Sequence, residues 1–440
     1  MIQFLQFLLS LSILVVLHEF GHYITARMFG CRVEKFYLFM DWPYALFKKK
    51  IGDTEFGIGC APLGGYVKIS GFVDESMDDG GLEKEPEAWE LRGKPAWQRL
   101  IVMLGGIIVN VVLAWFIYSM IAFSVGQKYI PIENLKDGFT FSEDAKRLGF
   151  EDGDQLVSMG GVVLKEFDPM MIMSGVLFEG ETEIVVLRSG QKINLNIDKS
   201  IVNDIIKNLS QESPPLMEPN IKWIVGGVVE SSVAEDAGLE VGDRIIFIND
   251  FNTIYYNNNV REYLLTQAGQ NVVLTIDRLG KKYPVKVALG DDGFLGVIPS
   301  AGDYEKIKTF SFLKSFSAGF KKTKETIAMY WGQVKTIFNP ATGAYKHLGG
   351  MITIGSMFPG EWNWLTFWSM TAFLSIILAV MNLLPIPALD GGHALIAFGE
   401  MLTGKKLPIK VLMPLQIVGM VILLMLVLYA NGMDIVRLFN

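Results

Sequence analysis

The sequence predicts a polytopic α-helical membrane protein: four transmembrane helices, a loop with β-hairpin character, and two tandem β-rich modules outside the bilayer. Three observations lead there. Half of the residues are hydrophobic (50%) and only 19% are charged. With a mean hydropathy of +0.34, that is too apolar for an ordinary soluble enzyme. Four apolar stretches reach the ~20 residues that a bilayer-crossing helix needs. Between the second and third of them lies a long segment whose strand and turn signals occur twice.

The first span covers residues 1–26 and ends in "VVLHEFGHYI" (15–24). A cleaved signal peptide is the alternative, but it wants a basic start and a small-residue cleavage site. Residues 1–17 carry no charge, and an ionisable cluster stands where cleavage would fall. The second span is expected over 100–125, the third over 361–393 and the fourth over 408–431. Lysine and arginine placement orients them. Arg27, Arg32 and Lys35 follow span one, Lys94 and Arg99 precede span two, and Lys405, Lys406 and Lys410 separate spans three and four. Those two loops are expected in the cytoplasm, and segment 126–360 outside.

Loop 27–99 holds "TEFGIGCAPLGGYVKIS" (54–70), whose alternation around a Pro-Leu-Gly-Gly turn reads as a β-hairpin. The acidic tract 74–90 that follows reads as solvated and flexible. In the external segment, "RLGFEDGDQLVSMGG" (147–161) aligns with "DAGLEVGDRIIFIND" (236–250), and each continues into strand, Arg-X-Gly turn, strand. That predicts duplicated modules at 126–217 and 218–302, joined through the Ser/Pro-rich stretch 209–220. Residues 308–338 mix apolar and basic residues at helical spacing, with Phe312, Phe316, Phe320 and Ile327 on one side. Two readings stand: a helix on the membrane bracing the modules, or an ordinary packed amphipathic helix.

The net charge of −7 gives no sign of nucleic-acid binding. Two cysteines in 440 residues, Cys31 and Cys60, make no disulfide framework. The chemistry sits in "HEFGH". His18 and His22 are one helical turn apart on one face, which suits a shared zinc ion. Glu19 beside them suits proton transfer from water to a leaving amine. Gly21 leaves room for close backbone approach. A catalytic zinc needs a third protein ligand and an open position. In "MNLLPIPALDGGH" (381–393), Pro385 and Pro387 break the span. Asp390 lies just beyond them and is the expected third ligand. His393 is the alternative ligand, and His347 lies in the external segment.

"HEFGH", "LGGYVKISG", "NLLPIPALDGGH" and the duplicated modules resemble the site-2 protease family of intramembrane zinc metalloproteases, in the family's order and across nearly the whole chain. The resemblance implies that His18, His22 and Asp390 bind Zn²⁺ and that Glu19 activates water. It implies that Asn382 engages the substrate backbone and that Gly64, Gly65 and Tyr66 belong to a membrane-re-entrant β-hairpin. It further implies that the repeats are PDZ domains facing the periplasm, where they screen substrates by size. The implied location is the bacterial inner membrane, with the active site near the cytoplasmic side. The implied substrates are transmembrane proteins, among them an anti-sigma factor already trimmed by another protease and signal-peptide remnants; membrane lipid is the other partner. One departure is "GGMITIG" (349–355), where the family often has a "GPIGI"-like stretch. Two other classes remain to be weighed: a PDZ scaffold with a structural zinc, and a metal transporter. A structural zinc usually takes four protein ligands, and a transporter needs more ionisable groups in spans two and four than these carry.

Overall fold

The computed structural model describes residues 2–61, 64–72, 85–179, 183–208, 215–229, 232–337 and 349–439. They form two compact units, one of Met1–Gly126 with Thr309–Asn440 and one of Gln127–Lys308. The first unit opens with α1 (Ile2–Met28). Its buried positions Phe7, Ser10, Leu14, His18, Gly21 and His22 recur every three or four residues, so one face turns inward. Four strands follow: β1 (Val33–Leu38), β2 (Met40–Ile51), β3 (Thr54–Ala61) and β4 (Tyr66–Ile69). Then comes α2 (Ala96–Ser124), which crosses α1 at glycines: a Cβ on Gly21 would lie 2.3 Å from the Gly105 carbonyl oxygen. Small residues let two membrane helices approach this closely.

The expected hairpin over 54–70 is not formed. The sheet order is β2-β3-β1-β4, so β1 lies between β3 and β4, parallel to the first and antiparallel to the second. The hairpin in this sheet is β2–β3, turning at Gly52-Asp53. Alternation marks a strand but not its neighbour, and the neighbour here comes from a segment twenty residues upstream. Thr54 Oγ1 donates to the Val33 carbonyl (2.8 Å) and helps to fix that pairing.

The second unit contains two hydrophobic cores. The first lies in the segment that runs through β5 (Gln127–Tyr129), β6 (Phe139–Phe141), α3 (Glu143–Arg147), β7 (Gln155–Met159), β8 (Val162–Val163), α4 (Pro169–Ser174), β9 (Glu183–Arg188), β10 (Gln191–Asn196), α5 (Lys199–Asn208) and β11 (Met217–Pro219), with β5 and β8 outside the core itself. The second is built by β12 (Ile224–Val228), α6 (Val233–Asp236), β13 (Arg244–Ile248), β14 (Phe251–Asn252), α7 (Asn258–Thr266), β15 (Asn271–Arg278), β16 (Lys281–Ala288) and β17 (Val297–Ser300), before β18 (Lys306–Lys308) returns to pair with β5. Strand β11 pairs with β6, across the boundary expected at 217/218.

The same local chemistry occurs in both cores. Ser142 caps α3 and Ser232 caps α6. Arg188 grips buried Asp154 with Nε and Nη2 (2.7 and 2.8 Å) and donates to the Gly149 carbonyl and to Glu151. Arg278 grips buried Asp243 in the same way (2.6 and 2.7 Å) and donates to the Gly238 carbonyl and to Glu240. Both arginines lead into turns with two positive φ values, Ser189-Gly190 and Leu279-Gly280, as tight hairpins require.

The chain re-enters the first unit as α8 (Phe312–Ile337), α9 (Met351–Ser356), α10 (Trp364–Asn382), α11 (Asp390–Thr403) and α12 (Ile409–Phe439). Helices α1, α2, α10 and α12 are long and apolar enough to cross a membrane. α8 packs along α2 through small residues. Its buried line is Ser315, Gly319, Thr323 and Thr326, and a Cβ on Gly319 would lie 2.1 Å from Ser119 Oγ. Phe312 and Phe320, expected on one apolar side of the helix, are exposed. Close helix packing selects the smallest face, and bulky rings are displaced to its flanks. α9, from "GGMITIG", is tied to α12: Met351 N–H donates to Asn431 Oδ1 and Thr353 N–H to Asp434 Oδ2.

Candidate metal centre

α1 brings His18 and His22 to one face, and both are buried. α10 ends at Asn382, residues 383–389 turn back, and α11 begins at Asp390. Asp390 therefore opens a helix rather than sitting in irregular chain. The turn is tight enough to require glycine after it. A Cβ on Gly391 would lie 2.4 Å from Leu383 carbonyl atoms, and one on Gly392 would lie 2.2 Å from the Ile386 oxygen. This fold-back delivers the Asp390 carboxylate to α1.

His18 Nε2 lies 3.2 Å from Asp390 Oδ2, His22 Nε2 lies 3.3 Å from the same oxygen, and the two Nε2 atoms are 3.3 Å apart. A tetrahedral ion with bonds of about 2.0–2.1 Å has ligand–ligand edges of roughly 3.3–3.4 Å. The triangle has that size. It is also chemically incomplete as protein alone, because Asp390 Oδ2 is buried and makes no hydrogen bond. Three buried lone pairs converging on one point call for a cation. Among the described residues, His18, His22 and Asp390 are the His/Cys/Asp/Glu group arranged to hold a metal.

The far side of each ring is fixed. His22 Nδ1 donates to the Val102 carbonyl (2.8 Å), which leaves its Nε2 lone pair facing the triangle. The Asn110 amide lies 3.0 Å from His18 Nδ1. With its oxygen turned toward the ring, Asn110 accepts the Nδ1 proton and its buried, otherwise partnerless Oδ1 gains a donor. Gly106 lets α2 come this close: a Cβ there would lie 2.5 Å from His22 Nε2 and 2.6 Å from His18 Cε1.

A cavity of about 670 Å³ opens beside the triangle, bordered by Glu19, Gly65, Tyr66, Asn382, His393 and Gln416. Glu19 is half-buried next to the histidines and outside the metal-holding group. Asn382 Nδ2 stands 3.3 Å from His18 Nε2. Gly65 permits contact between the sheet and α1, since a Cβ there would lie 2.7 Å from Val15 Cγ1 and 2.7 Å from the Tyr37 carbonyl oxygen. Tyr66 stacks on Tyr37 with centroids 5.5 Å apart. Gly64, with φ +133°, does not border the cavity. His393 meets Phe72 edge-on at 4.9 Å and is not part of the metal-holding group. His347 lies outside the described residues.

Asn110, Gly106 and Gln416 escaped the reading of the sequence. The available signal was polarity inside an apolar span, Asn110 in "GGIIVNVV" and Gln416 in "MPLQIVG".

The sequence profile of peptidase family M50 matches residues 6–426. The regulator of sigma E protease of Haemophilus influenzae is 26% identical, covering 98% of both chains. The regulator of sigma-E protease RseP of Salmonella typhimurium is 27% identical, again over 98% of both. A Neisseria meningitidis protein carrying a zinc-metalloprotease name is 28% identical over 99% of both. A match of this extent, on a chain whose apolar helices bring two histidines and an aspartate together, settles the family: this is a multi-pass membrane protein of peptidase family M50, the site-2 proteases, and a zinc metalloprotease.

Proposed function

We propose that this protease cuts the transmembrane segments of single-span bacterial inner-membrane proteins, including a pre-trimmed anti-sigma factor and signal-peptide remnants. The observation carrying this reading is the His18–His22–Asp390 triangle, formed by helices long enough to span a bilayer and the turn behind one of them. In it, His18, His22 and Asp390 hold zinc. Bound zinc supplies Lewis acidity, polarising a carbonyl and acidifying water. Glu19 takes the proton from the attacking water and gives it to the departing amine. Asn110 and the Val102 carbonyl hold the two imidazoles in the ligating tautomer.

A transmembrane substrate hides its peptide bonds in helix, so it unwinds before attack. Among the described residues β4 pairs with β1 alone, and it borders the cavity. Its outer edge takes up the unwound strand by β-addition. Gly65 and Tyr66 lie along that edge. Asn382, with an amide donor and a carbonyl acceptor, pairs with one substrate peptide unit.

Residues 126–217 and 218–302 act as duplicated, periplasmic PDZ-like modules that admit only shortened substrates. The matching Arg188–Asp154 and Arg278–Asp243 networks support a duplication. The lysine and arginine distribution supports an active site near the cytoplasmic side.

The test is cleavage of a model single-span substrate beside the zinc content of each variant. Glu19→Gln should abolish cleavage and keep zinc, whereas Asp390→Ala should lose both. Undiminished cleavage by Glu19→Gln would overturn the assignment. Replacing residues 127–308 by a short linker should permit cutting of an untrimmed substrate. A retained preference for trimmed substrate would refute the size filter.

A further inference from the structure

The sheet β2-β3-β1-β4 is graded along its strands, and α1 serves as the ruler. The 27 residues of α1 rise about 40 Å, roughly 10 Å more than a hydrocarbon core. The excess falls at the end carrying Arg27, so Tyr23–Met28 occupy the headgroup layer. The sheet hangs from that end. Val33 and Ile69 cluster with Ala26, while Gly65 reaches down to Val15. Phe56 of β3 meets Tyr23 with centroids 5.8 Å apart. From Thr54, β3 runs about 23 Å toward Ala61, at ~3.3 Å per residue.

β2 runs back alongside it as an edge strand, and its composition follows the gradient. Its deep part, which pairs with 58–61, exposes Trp42 (79%), Tyr44, Leu46 (65%) and Phe47. Its shallow part is Lys48-Lys49-Lys50, opposite Gly57, Phe56 and Glu55. Lys49 thus stands level with Tyr23, in the headgroup layer. The three ammonium groups have no ion pair among the described residues. The acids of this hairpin are Asp41, Asp53 and Glu55; Lys35 Nζ already donates to Asp41 (2.8 Å) and Tyr37 Oη to Glu55 (2.7 Å). An aqueous protein surface does not expose four large apolar side chains in six residues. Acyl chains beside Trp42–Phe47 and phosphates beside the lysines satisfy both halves of the strand.

We propose that Lys48, Lys49 and Lys50 form a binding surface for the headgroups of anionic phospholipid, at the rim of a lipid-facing strand. This rests on the sheet lying in the bilayer. The surface fixes the height and tilt of the sheet whose opposite edge, β4, borders the catalytic cavity. Anionic lipid therefore sets how the substrate-receiving edge meets the metal site.

Full-length protein in nanodiscs of phosphatidylcholine, with or without 30–40% phosphatidylglycerol, tests this through lysine acetylation read by mass spectrometry. Lys48, Lys49 and Lys50 should react roughly fivefold or more slowly with phosphatidylglycerol present, and 1 M salt should remove the protection. Lys281, Lys282 and Lys286 serve as internal references and should react equally in both. Glycerol phosphate added to phosphatidylcholine discs should give no protection; protection there would assign the site to free phosphate instead and overturn the lipid assignment. Equal reactivity of the three lysines in both discs would also overturn it. Lipid-tail photolabels report separately on embedding. Labelling of residues 42–47 in both discs supports the embedded sheet, and no labelling in either removes the basis of the proposal.

Discussion

Gly106→Ala is the sharpest probe of the metal site, because it adds one methyl group and removes nothing. The new Cβ would lie 2.5 Å from His22 Nε2, 2.6 Å from His18 Cε1 and 2.7 Å from His18 Nδ1. Ordinary contact begins near 3.4 Å, so α2 and the rings must separate by about 1 Å. The rings cannot simply rotate away, since Val102 and Asn110 hold their far nitrogens. α2 cannot easily retreat either, because Gly105 is locked against Gly21 one residue away. Overpacking of this kind costs about 1–3 kcal/mol. Here it falls on the atoms that must meet the metal, and a 1 Å misplacement in a catalytic constellation costs about 10²-fold. Zinc affinity should fall by one to two orders of magnitude and cleavage should fall with it, while helix content is unchanged. The assay is competition with a graded zinc chelator, followed by turnover at saturating zinc. Wild-type affinity together with wild-type turnover would mean that α2 does not pack on the histidines as described.

Asn110→Ala should weaken zinc binding about 10- to 100-fold by releasing the His18 tautomer, whereas Asn110→Asp, which keeps an acceptor at Nδ1, should restore most of it; equal losses would exclude an orienting role. Arg278→Ala leaves the buried Asp243 carboxylate with the Glu240 N–H as its remaining hydrogen bond among those described, at a cost of about 3 kcal/mol. Amide exchange over 223–300 should then quicken by roughly 10²-fold, and an unchanged rate would deny the pair any structural weight. Burial alone would raise the Asp243 pKa, but Arg278 and the Glu240 amide outweigh it and hold the group below its ordinary 3.8. Its stabilising contribution is therefore present above about pH 4 and lost as pH falls through the lowered value, so wild type should open in acid. In Arg278→Ala only the Glu240 amide still opposes burial, and that acid-side slope should shrink or reverse, as exchange measured from pH 5 down to 2.5 would reveal.

The arrangement of α8 shows how far a residue pattern reaches. Its helical period was legible, and so was its amphipathic character. Its buried side was not, because bulk and polarity point to the phenylalanines, whereas the contact surface is decided by what a neighbouring helix can approach. Gly319, in a buried line with Ser315 and Thr323, looks unremarkable until α2 presents Ser119 to it. The sheet teaches the same point. Each of β1, β3 and β4 carries its own alternation, yet the insertion of β1 between the other two depends on contacts such as Thr54 with Val33 that no local window contains.

The sequence alone determined what is periodic or chemically costly. Four apolar runs of spanning length had to leave water. Two histidines one turn apart had to share a face. Paired prolines had to end a helix before Asp390. Tertiary structure decided everything that needs two distant segments at once: which oxygen stands 3.2 Å from His18, which amide holds its far nitrogen, and which strand edge borders the cavity. The physical reason is that covalent geometry and side-chain polarity act over a few residues, whereas a three-atom site closes only after Gly21, Gly65 and Gly106 have let helix, sheet and helix come within contact distance.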